Sequence, residues 1–399
     1  RVDVSSVACA AMNPKPRLLF FENNPAYFLS HRLPLARAAQ GLGFEVQVAS
    51  MPGKSTREIE SAGFAVHTVR MHRSRMNPFA ELLTLLRIRR LYRKLRPDLV
   101  YQVTAKPVIY GMLAARSTQV PHVVSVVSGL GHAATRPGIK GWILRHMLFW
   151  LYRFALRHPS QKVIFHNRDD RDLFVSKRMV KPADAAVVPG SGVDMEYFSP
   201  QAEPEGIPRI LFPSRVLRDK GAVEFAGAAA SLRAAGVQAQ FVIAGGTDPG
   251  NPSALSEAQL RRWVAEGIIE WLGHARDMRA LYAQVHIVCL PSYREGLPKA
   301  LIEAAACGRP VVTTDVPGCR EVLIDGETGL RVPARDTAAL AAALKRLIED
   351  RDLRRRMGNA GRRYVAARFS TAQVIAQTSA IFTALLPLPS GSAAHSANP

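Results

Sequence analysis

Short runs of apolar residues alternate with helical patterns along most of the chain. In the first half, apolar runs of four to six residues fall at 17–22, 44–49, 65–69, 99–103, 122–127 and 162–165. Between them, apolar residues recur at helical spacing at about 31–40, 79–95, 108–116, 140–157 and 168–176. Short apolar strands separated by helices predict a parallel sheet that is covered on both faces.

The same alternation starts again after residue 208. Strands are predicted at 210–213, 240–244, 268–271, 287–290, 310–313 and 329–332, with helices at about 221–235, 256–265, 277–283, 298–307, 337–349 and 352–367. A chain of 399 residues is long enough for two such domains. We therefore predict an α/β protein with two doubly wound parallel-sheet domains, residues 17–200 and 201–370, that face a central cleft.

Both ends of the chain fall outside these two domains. We expect residues 1–16 to be a disordered extension, because they are small and mixed and have no apolar core of signal-peptide length. We expect residues 371–399 to form a helix that returns toward the first domain, followed by a disordered tail.

The composition, with 48% hydrophobic and 21% charged residues, is that of a globular protein. The four cysteines form no CxxC pair and have no matching histidine spacing. This argues against a zinc site or a disulfide framework and favours a reducing cytoplasm. No stretch reaches the roughly 18–20 uncharged apolar residues of a membrane span, so none is expected.

The net charge of +21 is unevenly distributed. Residues 1–200 carry 29 Lys and Arg against 13 Asp and Glu, whereas residues 201–399 carry 24 against 19. Residues 99–168 contain nine basic side chains and no acidic one. A basic half of this kind indicates a polyanionic partner, which could be nucleic acid, an anionic lipid surface or a phosphate-bearing substrate. A generally basic composition would raise the total charge but would not explain the asymmetry.

The sharpest motif is the segment 291–305, PSYREGLPKALIEAA, which follows a predicted buried strand. Its second proline suits the first turn of a helix, so backbone N–H groups around Gly296 and Leu297 are free to bind a phosphate or hydroxyl groups. Glu295 lies in the loop and Glu303 lies inside the helix. A carboxylate accepts two hydrogen bonds at once and therefore suits the vicinal diol of a ribose or a sugar ring.

Three further positions lie at predicted strand ends in the same domain. Arg215 and Lys220 follow the strand 210–213, and such cations can stabilise a departing diphosphate without a metal. Gly245 begins a glycine pair after the strand 240–244, where the backbone is expected to pass close to a ligand or to another backbone.

The run from Glu295 to Glu303, with Arg215 and Lys220 upstream, resembles the signature of the retaining glycosyltransferase family 4, whose fold is the two-domain GT-B type. The resemblance implies that Arg215 and Lys220 bind the donor diphosphate and that Glu303 holds the nucleotide ribose. It also implies that Glu295 and the backbone of residues 296–297 face the transferred sugar. By the same resemblance, no metal or other cofactor is needed and the sugar keeps its anomeric configuration.

The first domain resembles the subgroup that acts on undecaprenyl-diphosphate-linked sugars. The resemblance rests on the segments 20–24, 30–35, 104–111 and 127–131. Several relatives carry a histidine at the position of Ser128, and the nearby histidines at 31 and 132 are alternative candidates for its role. The candidate acceptor-side residues are His31, Arg32, Lys106, Ser128 and His132.

Two motif matches are rejected. Residues 129–134 fit GxGxxA, but they follow a late strand and no acidic residue occurs until Asp169, so no nicotinamide site is predicted. Asp170 and Asp172 match the DxD of metal-dependent transferases. They open a predicted helix, however, where acids cap the helix and balance its dipole, so no metal site is predicted.

Two predicted helices, 79–96 and 141–158, each combine a basic and an apolar face. Such helices can lie in a membrane interface, or they can pack the apolar face on the sheet. We favour packing for the first, and both possibilities stay open for the second. The basic residues of the second helix are Arg145, Arg153 and Arg157, and its apolar face carries Trp142, Leu148, Phe149, Trp150 and Phe154.

These observations predict a retaining, metal-independent hexosyltransferase that moves a sugar, an N-acetylhexosamine, from a UDP-sugar to a polyprenyl-diphosphate-linked saccharide. The product would belong to a bacterial capsule, lipopolysaccharide or other cell-surface glycan, assembled by a peripheral protein at the inner face of the plasma membrane. One alternative is a sugar-nucleotide 2-epimerase of the same architecture. Another is a nucleic-acid-binding protein that uses the basic half, although the chain has no helix-turn-helix, zinc or RNP-type motif.

Overall fold

The computed structural model describes residues 14–71, 78–129 and 138–387. The predicted architecture of two parallel-sheet α/β domains is confirmed. The first sheet has the order β3-β2-β1-β4-β5-β6-β7, and all its pairings are parallel. Its strands are β1 (Arg17–Glu22), β2 (Glu45–Ser50), β3 (Ala65–Thr68), β4 (Leu99–Val103), β5 (His122–Val127), β6 (Gln161–Phe165) and β7 (Ala185–Val187).

The second sheet repeats this arrangement with the order β10-β9-β8-β11-β12-β13, again with parallel pairings. The chain passes from one sheet to the other through residues 188–208, and the boundary at residue 200 stays a prediction. The strands are β8 (Arg209–Phe212), β9 (Gln240–Ala244), β10 (Glu270–Gly273), β11 (Ile287–Leu290), β12 (Val311–Thr314) and β13 (Gly329–Val332).

Helices cover both faces of each sheet and enclose separate apolar cores. Those of the first domain are α1 (Pro25–His31), α2 (Leu33–Gly41), α3 (Thr56–Ser61), α4 (Pro78–Leu95), α5 (Ala105–Thr118), α6 (Gly138–Ala155) and α7 (Arg168–Ser176). Those that follow β8 are α8 (Ala222–Ala234), α9 (Glu257–Ala265), α10 (Met278–Ala283), α11 (Lys299–Ala306), α12 (Thr337–Glu349), α13 (Arg351–Phe369) and α14 (Thr371–Leu385).

Two helix predictions needed correction. The helix predicted at 31–40 begins at Leu33 as α2, and the helix before it, α1, was not predicted. The two helices are separated at Arg32, because Pro34 near the start of α2 has no N–H to continue the ladder of α1. The helix predicted to include Arg157 ends at Ala155, ahead of Pro159, which disfavours helical backbone in the residue before it. Arg157 is therefore not part of the basic face of α6.

The last helix, α14, packs on the first domain rather than on the domain that precedes it. Its Phe382 is fully buried and meets Phe20 of β1, Phe44 and Tyr101 of β4 with ring centroids 6.4, 6.3 and 5.5 Å apart. The chain thus crosses between the domains twice. Residues 1–13 and 388–399, which include most of the predicted extension and tail, lie outside the described residues.

Candidate active site

Each sheet has one point at which its strand order reverses, and in doubly wound folds ligands bind beyond the carboxyl ends of the strands at this point. In the first sheet this switch point lies between β1 and β4, and in the second it lies between β8 and β11. Across the cleft between the domains, the loop that leaves β11 contacts the segments that follow β5 and β6 of the first sheet.

A cavity of about 370 Å³ lies in this cleft, within the range of about 300–1,000 Å³ that is typical of small-molecule sites. Its first-domain wall is built from residues at or just beyond the carboxyl ends of strands, namely Glu22, Thr104, Ser128 and His166. The opposite wall comes from the loop after β11 and the start of α11, residues 295–299. His31 and Arg32, between α1 and α2, also line it.

Glu295 lines the cavity and is held by side chains of its own domain. Lys220 Nζ lies 2.5 Å from Glu295 Oε1, and the hydroxyl of Ser292 donates to the same oxygen at 2.7 Å. The backbone N–H of Glu295 donates to the carbonyl of Pro317 at 3.1 Å. A carboxylate predicted to face the sugar and a cation predicted to bind the diphosphate are therefore direct neighbours.

Glu303 lies inside α11, close to the cavity wall formed by Lys299. The Tyr282 hydroxyl donates to Glu303 Oε2 at 3.3 Å, and Lys299 Nζ lies 3.7 Å from Oε1. Burial raises the pKa of Glu303 above its usual range, while Lys299 and Tyr282 act in the opposite direction. The carboxylate is thus fixed in orientation, and its role toward a ribose stays a prediction.

Arg215 and Gly245 lie at the same sheet edge but outside the cavity. Arg215 Nη1 is 2.5 Å from Asp248 Oδ2, and both side chains are largely exposed. A Cβ added to Gly245 would lie 1.7 Å from the carbonyl oxygen of Ser214. Of the two readings of this glycine, close approach to another backbone is the one that the geometry shows.

The acceptor-side candidates fall into three groups. His31, Arg32 and Ser128 line the cavity. Lys106 does not, because its ammonium group lies 2.5 Å from Glu81 Oε1 of α4. His132 lies outside the described residues.

The imidazole of His31 is neutral over the physiological pH range. Burial, and then the cations Lys299 and Arg32, lower the pKa of His31 to about 3. Its Nδ1 lies 2.7 Å from the hydroxyl of Ser30. His31 can therefore offer a hydrogen bond to a ligand but carries no charge toward it.

The two domains touch at Gly296. A Cβ added there would lie 1.9 Å from the carbonyl oxygen of Ser128, so only glycine allows this approach. The side-chain amide of Asn167 donates to the carbonyl of Gly296 at 2.7 Å, and Lys299 Nζ donates to the carbonyl of Ser30 at 3.2 Å. The loop that carries Glu295 is therefore positioned by the first domain as well as by its own.

Two ion pairs also cross the cleft. Arg294 pairs with the buried carboxylate of Asp170, and Arg320 Nη1 lies 3.4 Å from Asp169 Oδ1. Asp169 and Asp170 at the start of α7 thus join the domains. Sequence reasoning missed this role, because it assigned Asp170 and Asp172 only to capping and dipole balance. Within the ranges that the structure covers, no cluster of three His, Cys, Asp or Glu side chains could hold a metal ion, and metal independence stays a prediction.

Sequence reasoning also missed Glu22, Thr104 and His166 as cavity residues. Each is the polar residue found at, or directly after, the carboxyl end of a buried strand, a signal that was present in the sequence. Thr104 has a φ of 74°, which is rare for a residue other than glycine. No residue pattern indicated this strained backbone.

Two doubly wound domains whose carboxyl edges meet in one polar cleft define a protein of the GT-B class. The family comparison agrees with this class. Residues 17–167 match the model for "Glycosyl transferase 4-like" proteins, and residues 207–350 match the model for "Glycosyl transferases group 1". The chain belongs to this family of glycosyltransferases.

Relatives of known activity cover most of the chain. It is 27% identical to N,N'-diacetylbacillosaminyl-diphospho-undecaprenol alpha-1,3-N-acetylgalactosaminyltransferase of Campylobacter jejuni, over 85% of this chain and 91% of that protein. It is 25% identical to UDP-Gal:alpha-D-GlcNAc-diphosphoundecaprenol alpha-1,3-galactosyltransferase of Escherichia coli, over 68% and 72%. Sucrose-phosphate synthase of Thermosynechococcus elongatus shares the fold, with a TM-score of 0.76, 20% identity and coverage of 93% and 99%.

Proposed function

We propose that this glycosyltransferase transfers an N-acetylhexosamine from a UDP-sugar to a saccharide linked to a polyprenyl diphosphate, with retention of anomeric configuration and without a metal. The observation that carries the proposal is the contact between Lys220 and Glu295 at one wall of a cavity whose other wall is polar and belongs to the first domain. In this arrangement the donor sugar would bind at the wall of Glu295, and the acceptor sugar would bind at the facing wall of the first domain.

The names of the relatives support the choice of substrates. The Campylobacter protein is named for transfer of N-acetylgalactosamine to a sugar on diphospho-undecaprenol. The Escherichia protein is named for UDP-galactose as donor and a diphosphoundecaprenol-linked sugar as acceptor. An N-acetylhexosamine donor and a lipid-diphosphate acceptor are therefore the first substrates to test.

In the proposed reaction the second domain binds the donor. Arg215 and Lys220 neutralise the leaving diphosphate, which is electrostatic work that cations can perform alone. Glu303 accepts hydrogen bonds from the ribose, and Glu295 orients the transferred sugar. The attacking hydroxyl approaches from the face that the diphosphate leaves, and the leaving phosphate takes its proton.

A lipid-linked acceptor also gives a reason for the surface of α6. Trp142, Trp150 and Phe154 are 46–63% exposed, whereas Leu148 and Phe149 pack on the core. The packing interpretation of this helix thus holds for Leu148 and Phe149, and contact of the exposed side chains with a membrane stays a prediction. Across the described ranges the structure has no helix that could span a bilayer. We propose that this exposed aromatic row rests in the membrane interface at the inner face of the plasma membrane.

The membrane contact can be tested with vesicles of anionic phospholipid. Trp150→Gln with Arg153→Gln should lower the sedimented fraction severalfold, because the change removes an exposed aromatic ring and an exposed cation. The matched control is Val264→Gln with Arg261→Gln, which removes an exposed apolar side chain and an exposed cation from α9 of the second domain. Equal sedimentation of both variants and the wild type would count against the membrane surface.

The transfer reaction can be tested with a panel of UDP-sugars and a short-chain polyprenyl diphosphate that carries one N-acetylhexosamine. We expect a disaccharide product whose new linkage, determined by NMR, has the anomeric configuration of the donor, at a rate that EDTA does not change. Conversion of the donor without acceptor would instead indicate an epimerase. Inversion, or loss of activity in EDTA that Mg²⁺ restores, would refute the corresponding part of the proposal.

A further inference from the structure

Three buried polar side chains line the first-domain wall of the cavity. Glu22, Arg32 and His166 are only 3%, 5% and 8% exposed, and they come from the end of β1, the break between α1 and α2, and the residue after β6. Charged side chains are almost never buried to this degree unless they have partners. Their partners are therefore the first thing to account for.

Several hydrogen bonds of this wall are not made within the described part of the chain. Arg32 Nε, His166 Nε2 and Thr104 Oγ1 are buried there without a hydrogen-bond partner. A buried polar group without a partner costs about 1–3 kcal/mol, and native structures contain few of them. Three such atoms on one cavity wall indicate that a polar ligand supplies the missing partners.

The backbone at the same wall is strained. Thr104 has φ 74° and ψ 161°, and its N–H donates to the carbonyl of Val126 at 3.3 Å. A non-glycine residue in such a conformation costs about 1–3 kcal/mol and is retained where the surrounding structure fixes it, often at a ligand site. The strained residue directly follows β4 at the switch point of the first sheet and lines the same cavity as Glu295.

The charges of the wall suit an uncharged ligand. Burial, and then the cation Arg32 and the ring of His31, lower the pKa of His166 to about 3, so the imidazole is neutral. Burial raises the pKa of Glu22 to about 7, although Arg32 and the backbone N–H groups of residues 23 and 24 lower it in part. One cation beside one partly ionised carboxyl gives little net charge, which favours hydroxyl and amide groups over a phosphate.

We propose that Glu22, Arg32 and His166 bind the terminal sugar of the acceptor, with the Glu22 carboxyl accepting a hydrogen bond from a sugar hydroxyl. Arg32 Nε donates to a sugar oxygen, and the neutral His166 ring and Thr104 hydroxyl complete the set. The inference rests on the proposed function, because the cavity then holds the acceptor sugar against the donor wall at Glu295. The lipid diphosphate would lie outside this pocket.

The test compares Glu22→Gln with Glu45→Gln in the full chain. Glu45 is exposed and begins β2, at the opposite edge of the same sheet. With the short-chain polyprenyl diphosphate acceptor, we expect Glu22→Gln to raise the KM for acceptor at least tenfold, while the affinity for UDP by calorimetry stays within twofold. Glu45→Gln should change neither value. A change of less than twofold in acceptor KM, or an equal loss of UDP affinity, would overturn the assignment.

Binding of the sugar alone separates this inference from the proposed reaction. The methyl glycoside of N-acetylglucosamine, which carries no phosphate, is titrated into the UDP-loaded protein and followed by ligand-observed NMR. Binding by the wild type that is weakened tenfold in Glu22→Gln and in His166→Gln supports the site even if no transfer is detected. Absence of binding by the wild type overturns the site, and unchanged thermal unfolding of His166→Gln ensures that its loss is local.

Discussion

The ion pair between Arg294 and Asp170 gives the sharpest prediction about how the two domains are held together. The Asp170 side chain is fully buried and that of Arg294 is 20% exposed. Arg294→Ala would leave a buried carboxylate with the side-chain amide of Asn167, which donates to it at 2.9 Å. Removing one partner of such a pair costs about 3–5 kcal/mol, because the other charge stays buried without compensation.

A neighbouring pair in the same interface provides a matched control. Arg320 and Asp169 also join the domains, but their side chains are 38% and 34% exposed and 3.4 Å apart. Exposed pairs contribute about 0–1 kcal/mol, so Arg320→Ala should have a small effect. Each substitution removes an arginine that pairs with one of two adjacent acids of α7. The pairs differ in burial, and Arg320 also lies 3.1 Å from Asp315 of its own domain.

Calorimetric unfolding of both variants at neutral pH measures the difference directly. The free energy of unfolding that Arg294→Ala loses cannot exceed the cost of separating the domains, because separation would expose Asp170 to water and relieve the buried charge. Small-angle scattering would then show a larger radius of gyration. Adding Asp170→Asn to Arg294→Ala should recover at least half of the loss, because the uncompensated charge is gone. Equal losses in the two Arg variants, or no recovery, would refute the reasoning.

Three further predictions concern the cavity. Glu303→Gln should weaken UDP binding about tenfold in calorimetry, since a charged acceptor bond contributes about 1.5–3 kcal/mol, and the exposed Glu349→Gln should not. Gly296→Ala should lower kcat at least tenfold, because its Cβ would lie 1.9 Å from the Ser128 carbonyl oxygen; normal turnover would contradict this. Burial raises the pKa of Glu22 from 4.5 to about 7, so the stability that this carboxyl contributes is complete below pH 4.5 and is lost as the pH rises through 7. Between pH 4.5 and pH 8, urea unfolding should show that the free energy of unfolding of the wild type falls by about 3 kcal/mol relative to that of Glu22→Gln. An equal difference between the two proteins at both pH values would contradict the assignment.

The sheets could be predicted because parallel strands covered on both faces are continuous apolar runs. β4 and β11, for example, are buried at every position and stand out from their polar surroundings. β7 was missed because it has three half-buried residues at the sheet edge. α3 was missed because Ile59 is its only buried residue, so the segment shows no apolar period.

The site could be predicted only where its residues lie close together in the sequence. Glu295, Gly296 and Glu303 lie within one loop and helix, so their spacing is visible in the sequence. The contact of Glu295 with Lys220 joins residues 75 positions apart, and the pair of Arg294 with Asp170 joins residues from different domains. Such contacts depend on how distant segments and the two domains pack together, which no local sequence pattern indicates.

In the proposed reaction, the junction at Gly296 would link donor binding to acceptor binding. Its carbonyl accepts from the Asn167 amide, and its Cα packs against the backbone of Ser128, so the first domain fixes the loop that carries Glu295. Glu22 lies across the same cavity, on the first domain. Separation of the domains would therefore move Glu295 away from the wall that carries Glu22. If these walls bind the two sugars as proposed, the sugars are aligned for attack only when these backbone contacts are made.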